Sequence, residues 1–157
     1  MKHNADGSVN RLEAWLVAKG YAQTHDIDYE ETFAPVAKMT TVWTVISLAI
    51  AKGWRLHQMD VKNAFLQGEL EEDVYMIQPP GFELRDHPNA VCRLKKPLYG
   101  FKQAPRAWHS KITQYPHQIG FQMSKSDTSL YIRNESDRPI VIILYMDDLF
   151  IGGKDVA

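Results

Sequence analysis

Cysteine is almost absent from this chain of 157 residues, which carries Cys92 alone. A single cysteine cannot close an intrachain disulfide, and it leaves too few thiolates for a zinc-finger site. Such a composition is typical of proteins in a reducing compartment, so we expect a cytoplasmic location. The length suits one domain with a real core, but not a large multi-domain enzyme.

The sequence also lacks any apolar run near the ~20 residues that a membrane helix needs, so we expect no membrane partner. Its first residues have no apolar core of the kind found in signal peptides. The formal net charge is -1. Binding to nucleic acid would therefore depend on a local basic patch and not on the overall field.

The most informative stretch is residues 140–153, where an apolar run, two adjacent acids, a second apolar run and a glycine pair follow one another. The runs predict two antiparallel strands, the first buried on both faces, with Met146, Asp147 and Asp148 at the tight turn between them. Carboxylates about 4 Å apart repel by roughly 1 kcal/mol in water, and by roughly 4 kcal/mol at an effective dielectric near 20. Two interpretations stay open: a site for a hard divalent cation such as Mg²⁺, or a turn that simply favours aspartate.

Another acid, Asp60, ends a predicted strand that begins at Arg55. Residues 62–68 then turn away from that strand. An acid at the carboxyl end of a strand is a common position for catalytic groups. An aspartate that caps the following turn explains the same pattern. For Asp60 taken alone, the pattern favours the cap.

One basic stretch, residues 95–106, has aromatic residues between its cations. That mixture suits phosphate contacts combined with stacking on bases or sugars. A plain exposed loop explains it as well. The candidate nucleic-acid contacts within it are Lys95, Lys96, Lys102 and Arg106.

Helical spacing of apolar residues predicts helices over residues 40–52 and 105–119. Thr40 or Thr41 would cap the first helix, and Gly53 would end it. Pro116 lies inside the second helix and should cost about 3 kcal/mol or force a kink. An extended segment is predicted over residues 11–23, and short strands are predicted over residues 74–77, 91–94 and 130–133.

Five motifs, in this order along the chain, resemble the reverse transcriptase of copia-type LTR retrotransposons. They are residues 16–23, 32–36, 57–66, 98–108 and 145–148, the last of which reads Tyr-Met-Asp-Asp. The similarity runs from about Arg11 to Gly153, nearly the whole chain. A lone Tyr-x-Asp-Asp would be weak, but five motifs in the family's order make chance a poor explanation.

The resemblance implies an RNA-dependent DNA polymerase with an α+β palm. The palm would be a small antiparallel sheet with both helices behind it, joined to an N-terminal, strand-rich fingers portion. Residues 1–10 would be a polar tail, and residues 11–157 a partial domain that stops just past the hairpin, without a thumb. We expect both ends to be poorly ordered. In an intact element, a polyprotein with thumb, RNase H and integrase would accompany this part in a virus-like particle.

By the same resemblance, Asp60, Asp147 and Asp148 are catalytic carboxylates that hold two Mg²⁺ ions, with Mn²⁺ as an alternative. They would serve nucleotidyl transfer from a deoxynucleoside triphosphate (dNTP) to the 3′-hydroxyl of a DNA primer on an RNA template. Phe65 would lie under the sugar and exclude a 2′-hydroxyl, although an ordinary core aromatic is the alternative. The other implied nucleotide contacts are Val61, through its backbone N–H, and Gly100, Gln103, Pro105 and Lys19. Tyr145 and Met146 join the basic residues as implied nucleic-acid contacts.

Five positions depart from the family pattern. Phe101 replaces a usual leucine and Met146 a usual valine, and both should be tolerated. Trp15 and Trp43 stand where a basic residue is common, and Pro116 stands where a helix-compatible residue is usual. With the missing thumb, these changes leave a second function open: a remnant that binds nucleic acid without catalysis. A different two-metal enzyme, such as a phosphodiesterase, is disfavoured because the sequence has no histidine-rich ligand set.

Overall fold

A computed structural model of the protein describes residues 1–12, 16–135 and 138–154. Trp15 lies outside the described residues. In chain order the elements are β1 (Lys2–His3), β2 (Val9–Arg11), α1 (Met39–Lys52), β3 (Arg55–Asp60), α2 (Ala64–Gln67), β4 (Tyr75–Ile77), β5 (Val91–Arg93), α3 (Ala104–Ile112), α4 (Gln114–Gln118), β6 (Gln122–Met123), β7 (Leu130–Glu135), β8 (Arg138–Tyr145) and β9 (Asp148–Gly153). Within the described ranges, none of the helices is long and apolar enough to cross a membrane.

The main sheet is antiparallel and has five strands in the order β3-β9-β8-β7-β6. β8 therefore lies in the middle of the sheet. Because successive side chains of a strand point to opposite faces, Val141 and Ile143 pack into one core cluster, while Ile142 and Leu144 pack into another. The prediction of a strand buried on both faces is confirmed, and the fold is mixed α and β with antiparallel sheets.

The helices cover opposite faces of this sheet. Val45 of α1 packs with Val141 and Ile143, whereas Ile112 of α3 packs against the cluster that contains Ile142 and Leu144. The prediction that both helices lie behind the sheet is therefore wrong. A central strand that is apolar on both sides needs a cover on each side, and one helix goes to each.

Helix α1 begins at Met39, and neither Thr40 nor Thr41 is its N-cap. Its first turn is capped from another part of the chain, because the backbone N–H of Lys38 donates to the carboxylate of Asp127 at 2.9 Å. The predicted end is confirmed: Gly53 has a left-handed conformation, and Trp54 N–H bonds to the carbonyl of Ala49. That pattern is a Schellman motif.

The second predicted helix is broken into two. α3 ends at Ile112 and α4 begins at Gln114, with Thr113 between them. Pro116 has no N–H to donate to the carbonyl of Ile112, and in a continuous helix its ring would clash with that carbonyl. The kink predicted from Pro116 is confirmed, and the single helix over residues 105–119 is wrong.

The N-terminal part also differs from expectation. Residues of the predicted polar tail form the exposed β1–β2 hairpin. The segment predicted as extended over residues 11–23 leaves β2 at Arg11, makes one parallel bridge between Val17 and Tyr99, and enters a short 3-10 helix at Gly20–Ala22. The strands near residues 74–77 and 91–94 are confirmed as the pair β4–β5.

Candidate active site

The end of the β3–β9 pair brings the acids of two distant segments together. Asp60, the last residue of β3, lies directly opposite Asp148, the first residue of β9. Side chains of such a pair share one face, with Cβ atoms about 4.5–5.5 Å apart. The ladder continues past them, because the N–H of Val61 donates to the carbonyl of Asp147 at 3.0 Å. The backbone therefore fixes all three acids at one end of the sheet.

The turn between β8 and β9 consists of Met146 and Asp147, since Tyr145 pairs with Asp148. The strand β9 thus begins at Asp148, one residue earlier than predicted. Met146 has a φ of 54°, while Asp147 has no positive φ. A positive φ at the first central residue alone is the pattern of a type II′ turn, where glycine is usual. Methionine therefore holds a strained conformation at the tip of the hairpin.

Asp147 has an incomplete set of partners. Its Oδ1 is buried and makes no hydrogen bond, and its Oδ2 lies 3.4 Å from the hydroxyl of Tyr99. Burial raises the pKa of the Asp147 carboxyl; the Tyr99 hydrogen bond opposes this shift, and the charges of Asp60 and Asp148 add to it. A buried, unpartnered carboxylate oxygen beside two other acids favours a cation.

The side chains do not complete a ligand set by themselves. In the part of the chain that the structure describes, no group of three or more His, Cys, Asp or Glu side chains is arranged to hold a metal ion. Asp60 and Asp147 line one cavity, and Asp148 is not among its lining residues. The backbone thus brings the three acids to one end of the sheet, and the side chains of Asp60 and Asp147 line the same cavity. Their shared metal binding stays a prediction.

That cavity has a volume of about 680 Å³ and carries both signs of charge. Its acidic lining residues are Asp60 and Asp147, and Tyr99, which contacts Asp147, lines it as well. The cations in its wall are Lys2, Arg11 and Lys62. Of these, Lys2 and Arg11 come from the β1–β2 hairpin. Lys2 belongs to the predicted tail, and Arg11 to the start of the predicted extended segment. Lys19 does not line the cavity; it is exposed, just before the 3-10 helix.

The backbone beside Asp60 turns sharply into α2. Asn63 is left-handed, with a φ of 54°, and the N–H of Ala64 bonds to the carbonyl of Val61. The N–H groups of Val61 and its neighbours were predicted to cradle a triphosphate. Because the N–H of Val61 is already donated to Asp147, a phosphate would have to use neighbouring amides.

Phe65 faces a second, more apolar cavity of about 240 Å³. Its ring lies 4.6 Å from that of Tyr99, centroid to centroid, at an angle of 47°. Pro105 and His109 line the same cavity, and burial lowers the pKa of His109. Phe65 is therefore linked to the acid-lined cavity by its contact with Tyr99. It also packs against a core cluster, which agrees with the alternative that Phe65 is an ordinary core aromatic.

The loop before α3 is a docking point for the N-terminal segment. Gly100 has a φ of +90°, and a Cβ there would overlap the carbonyl oxygen of Ala18. Gln103 is 3% exposed; its Oε1 accepts from Gln23 and its Nε2 donates to the carbonyl of Asp28, both at 3.0 Å. Gln103 thus holds this loop from inside the protein, whereas Gly100 is exposed and allows the close approach of Ala18.

Most cations of the basic stretch have partners within the protein. Lys96 donates to the carbonyl of Gly68 at 3.1 Å. Lys102 donates to Gln23 O and to Tyr29 Oη, each at 3.2 Å, and Arg106 pairs with Glu31 at 3.3 Å. Lys95 is exposed. Tyr145 is half-buried, whereas Met146 is 58% exposed.

Two residues of the site were missed by sequence reasoning. Tyr99 contacts Asp147 and Phe65, as described above. Trp108 is 6% exposed, and its Nε1 donates to the carbonyl of Met146 at 3.0 Å, which ties α3 to the turn. Both lie within the motif over residues 98–108, where tyrosine and tryptophan carry a polar atom that needs a partner when buried. The need of these polar atoms for a hydrogen-bond partner was the sequence signal that could have identified both residues.

Comparison with known proteins agrees with this picture. The family model described as "Reverse transcriptase (RNA-dependent DNA polymerase)" matches residues 1–157. The retrovirus-related Pol polyproteins from transposons RE1 and RE2 of Arabidopsis thaliana are 51% and 50% identical to the chain, over 98% and 99% of its length. The Pol polyprotein from transposon TNT 1-94 of Nicotiana tabacum is 43% identical over 99% of the chain.

The chain spans only 10%, 11% and 12% of the length of these three relatives. No solved structure matches it. The family match nevertheless covers every described element and all five motifs. The chain belongs to the reverse transcriptase (RNA-dependent DNA polymerase) family, among the members found in copia-type retrotransposons, as its motifs predicted.

Proposed function

We propose that this chain carries the nucleotidyl-transfer site of an RNA-dependent DNA polymerase. The observation that carries the proposal is the register of β3 with β9, which sets Asp60 opposite Asp148 and beside Asp147. The sheet with α1 and α3 would be the palm, and the segment from Arg11 to the start of α1 would belong to the fingers. The reaction would join a dNTP to the 3′-hydroxyl of a DNA primer paired with an RNA template.

The acids suit divalent ions, although they supply only part of a coordination shell. Asp60 and Asp147 would hold Mg²⁺, or Mn²⁺ in its place, with Asp148 next to them. Mg²⁺ in such enzymes is usually bound by one or two carboxylates together with substrate phosphates and water, so an incomplete protein set is expected before the nucleotide binds. When bound, the ions lower the pKa of the attacking hydroxyl and stabilise the leaving pyrophosphate.

The mixed charge of the cavity suits a nucleotide with its metal. Its volume lies within the roughly 300–1,000 Å³ that is common for small-molecule sites. Lys2, Arg11 and Lys62 line the wall near Asp60 and Asp147. Cations that share a cavity with the acids would bind the terminal phosphates and keep the metal-binding end of the nucleotide at the carboxylates.

The remaining nucleotide positions would act mainly through shape. Phe65 would restrict the sugar through its contact with Tyr99, and Pro105 would fix the start of α3. Gly100 and Gln103 would hold the loop against the N-terminal segment. Lys19 would contact a phosphate of the template from outside the cavity.

Template and primer would lie along the exposed side of the turn. Met146 and Tyr145 would contact the primer end, and Lys95 would contact a phosphate. Lys96, Lys102 and Arg106 would have to exchange their present partners for phosphates. The rest of the polyprotein would supply the thumb, RNase H and integrase, and the assembly would work in a cytoplasmic virus-like particle.

The test is primer extension by the purified chain with Mg²⁺, a primed RNA template and dNTPs. We expect extension that Asp147→Asn or Asp60→Asn reduces by at least a hundredfold. Asp86→Asn, in an exposed loop, is the matched control and should leave extension unchanged. Extension that survives both site variants would contradict the proposal.

The second candidate is a nucleic-acid-binding remnant without catalysis. The basic stretch over residues 95–106, with aromatic residues between its cations and with Lys95 exposed, favours it. This candidate predicts that the chain binds a primed template with an affinity that falls steeply with salt. Binding that persists in a variant lacking all three acids, with no extension by the wild type, would support this alternative.

A further inference from the structure

Tyr99 lies where the parts of the site meet, although it was not among the predicted functional residues. Its hydroxyl is 3.4 Å from Asp147 Oδ2, and its ring packs on Phe65. Its carbonyl accepts from the N–H of Ala18 at 2.7 Å. Tyr99 therefore contacts three parts of the site. Its side chain contacts a metal-site carboxylate and the ring beneath the sugar position, and its backbone contacts the N-terminal segment.

The hydroxyl is held on two sides. It donates to Asp147, and the backbone N–H of Ala64, which bonds to the carbonyl of Val61, also lies close enough to lower the pKa of Tyr99. Ala64 is fully buried and opens α2, directly after the turn that follows Asp60. The Tyr99 hydroxyl therefore connects the segment after Asp60 with the hairpin turn.

We propose that Tyr99 is a positioning residue, whose hydroxyl fixes the Asp147 carboxyl so that Oδ1 stays available to a divalent ion. This inference rests on the proposed function, since it takes Asp147 to be a metal ligand. Without the hydroxyl, the carboxyl is free to adopt other rotamers, and binding of the ion must first restrict it. The loss of one such hydrogen bond corresponds to about a three- to tenfold weaker affinity for the ion.

The test measures Mn²⁺ binding by the whole chain, from the electron paramagnetic resonance signal of free Mn²⁺, with no nucleotide present. Tyr99→Phe keeps the ring on Phe65 and removes only the hydroxyl. We expect Mn²⁺ affinity to fall about three- to tenfold, with little change in the midpoint of thermal unfolding without metal. Tyr115→Phe, on the exposed face of α4, is the control and should bind Mn²⁺ as the wild type does.

A double-mutant cycle separates positioning from a general structural role. In an Asp147→Asn background, Tyr99→Phe should cause no further loss of Mn²⁺ affinity, because the carboxyl that it positions is gone. An equal loss in both backgrounds, or no loss in either, would overturn the inference. If Asp147→Asn alone leaves Mn²⁺ affinity unchanged, the proposed metal site fails as well, which distinguishes the two failures.

Discussion

The indole N–H of Trp108 donates to the backbone carbonyl of Met146, 3.0 Å away, so that helix α3 holds the tip of the acidic hairpin. Met146 is the residue with the left-handed conformation in that turn. A strained turn persists only when its surroundings determine it. This single hydrogen bond therefore contributes to the placement of Asp147, the next residue.

Trp108→Phe keeps most of the buried ring but removes the donor. We expect the free energy of unfolding to fall by about 1–2 kcal/mol, because the Met146 carbonyl loses its partner. Urea denaturation measures this change. Trp43→Phe is the control: Trp43 is 61% exposed on α1, so its change should stay within about 0.5 kcal/mol. Equal effects of the two variants would contradict the role assigned to Trp108.

Gly100→Ala tests the docking of the N-terminal segment. The new Cβ would overlap the Ala18 carbonyl and would also strain a φ of +90°. Gly81→Ala is matched, because Gly81 has a φ of +87° but open space around its Cα. We expect Gly81→Ala to cost about 1 kcal/mol and Gly100→Ala clearly more. Faster proteolysis within residues 16–23 should accompany only the Gly100 change, and its absence would refute the docking contact.

Asp127→Ala removes the carboxylate that caps α1 from another part of the chain. Asp127 is 5% exposed and accepts from the N–H groups of Lys38 and Ser129. Two backbone donors would be left unpaired, so we expect a loss of about 1–3 kcal/mol in unfolding free energy, measured in urea at pH 7.

The difference in unfolding free energy between the wild type and Asp127→Ala should depend on pH. Burial raises the pKa of Asp127, but hydrogen bonds from Thr41, Lys38 and Ser129 outweigh it and lower the pKa below the usual 3.8. The contribution of Asp127 is therefore present above pH 3.8 and is lost as the pH falls through its folded-state pKa. A difference between wild type and Asp127→Ala that grows on acidification would contradict this assignment.

Asp147 should show the opposite dependence. Its pKa in the folded protein is raised above 3.8, first by burial and then by Asp60 and Asp148. The folded state therefore binds the proton more tightly, and this stabilisation is lost as the pH rises through the raised pKa. We expect Asp147→Asn to unfold at a higher temperature than the wild type at pH 7, with the difference reduced near pH 3.5. A variant that is less stable at pH 7 would show that the carboxylate has a favourable partner.

The sequence predicted the parts of the fold whose signals are local. The apolar run before Tyr145, the end of β3 at Asp60 and the stop at Gly53 each follow from one continuous segment. Family motifs then related Asp60 to Asp147, which periodicity alone does not do. That Asp60 lies near the hairpin acids could therefore be predicted before any coordinates, whereas their catalytic role stays a prediction.

The remainder depends on contacts between distant segments. Asp127 caps a helix some 89 residues away, and no pattern near Thr40 reveals that a cap comes from elsewhere. The β1–β2 hairpin is fully exposed and polar, so it has no alternation that would predict strands. Helix placement on both faces followed from β8 being central, which the sequence of β8 alone does not determine.

The central claim is that Asp60 and Asp147 share divalent ions at the end of the β3–β9 pair. The most direct measurement is an anomalous-difference map from crystals of the chain grown with Mn²⁺ and a non-hydrolysable dNTP analogue. The account predicts a Mn²⁺ peak about 2.1–2.3 Å from carboxylate oxygens of both residues, with phosphate oxygens completing the shell. Mn²⁺ bound elsewhere, or carboxyls of Asp60 and Asp147 too far apart to reach one ion, would contradict it.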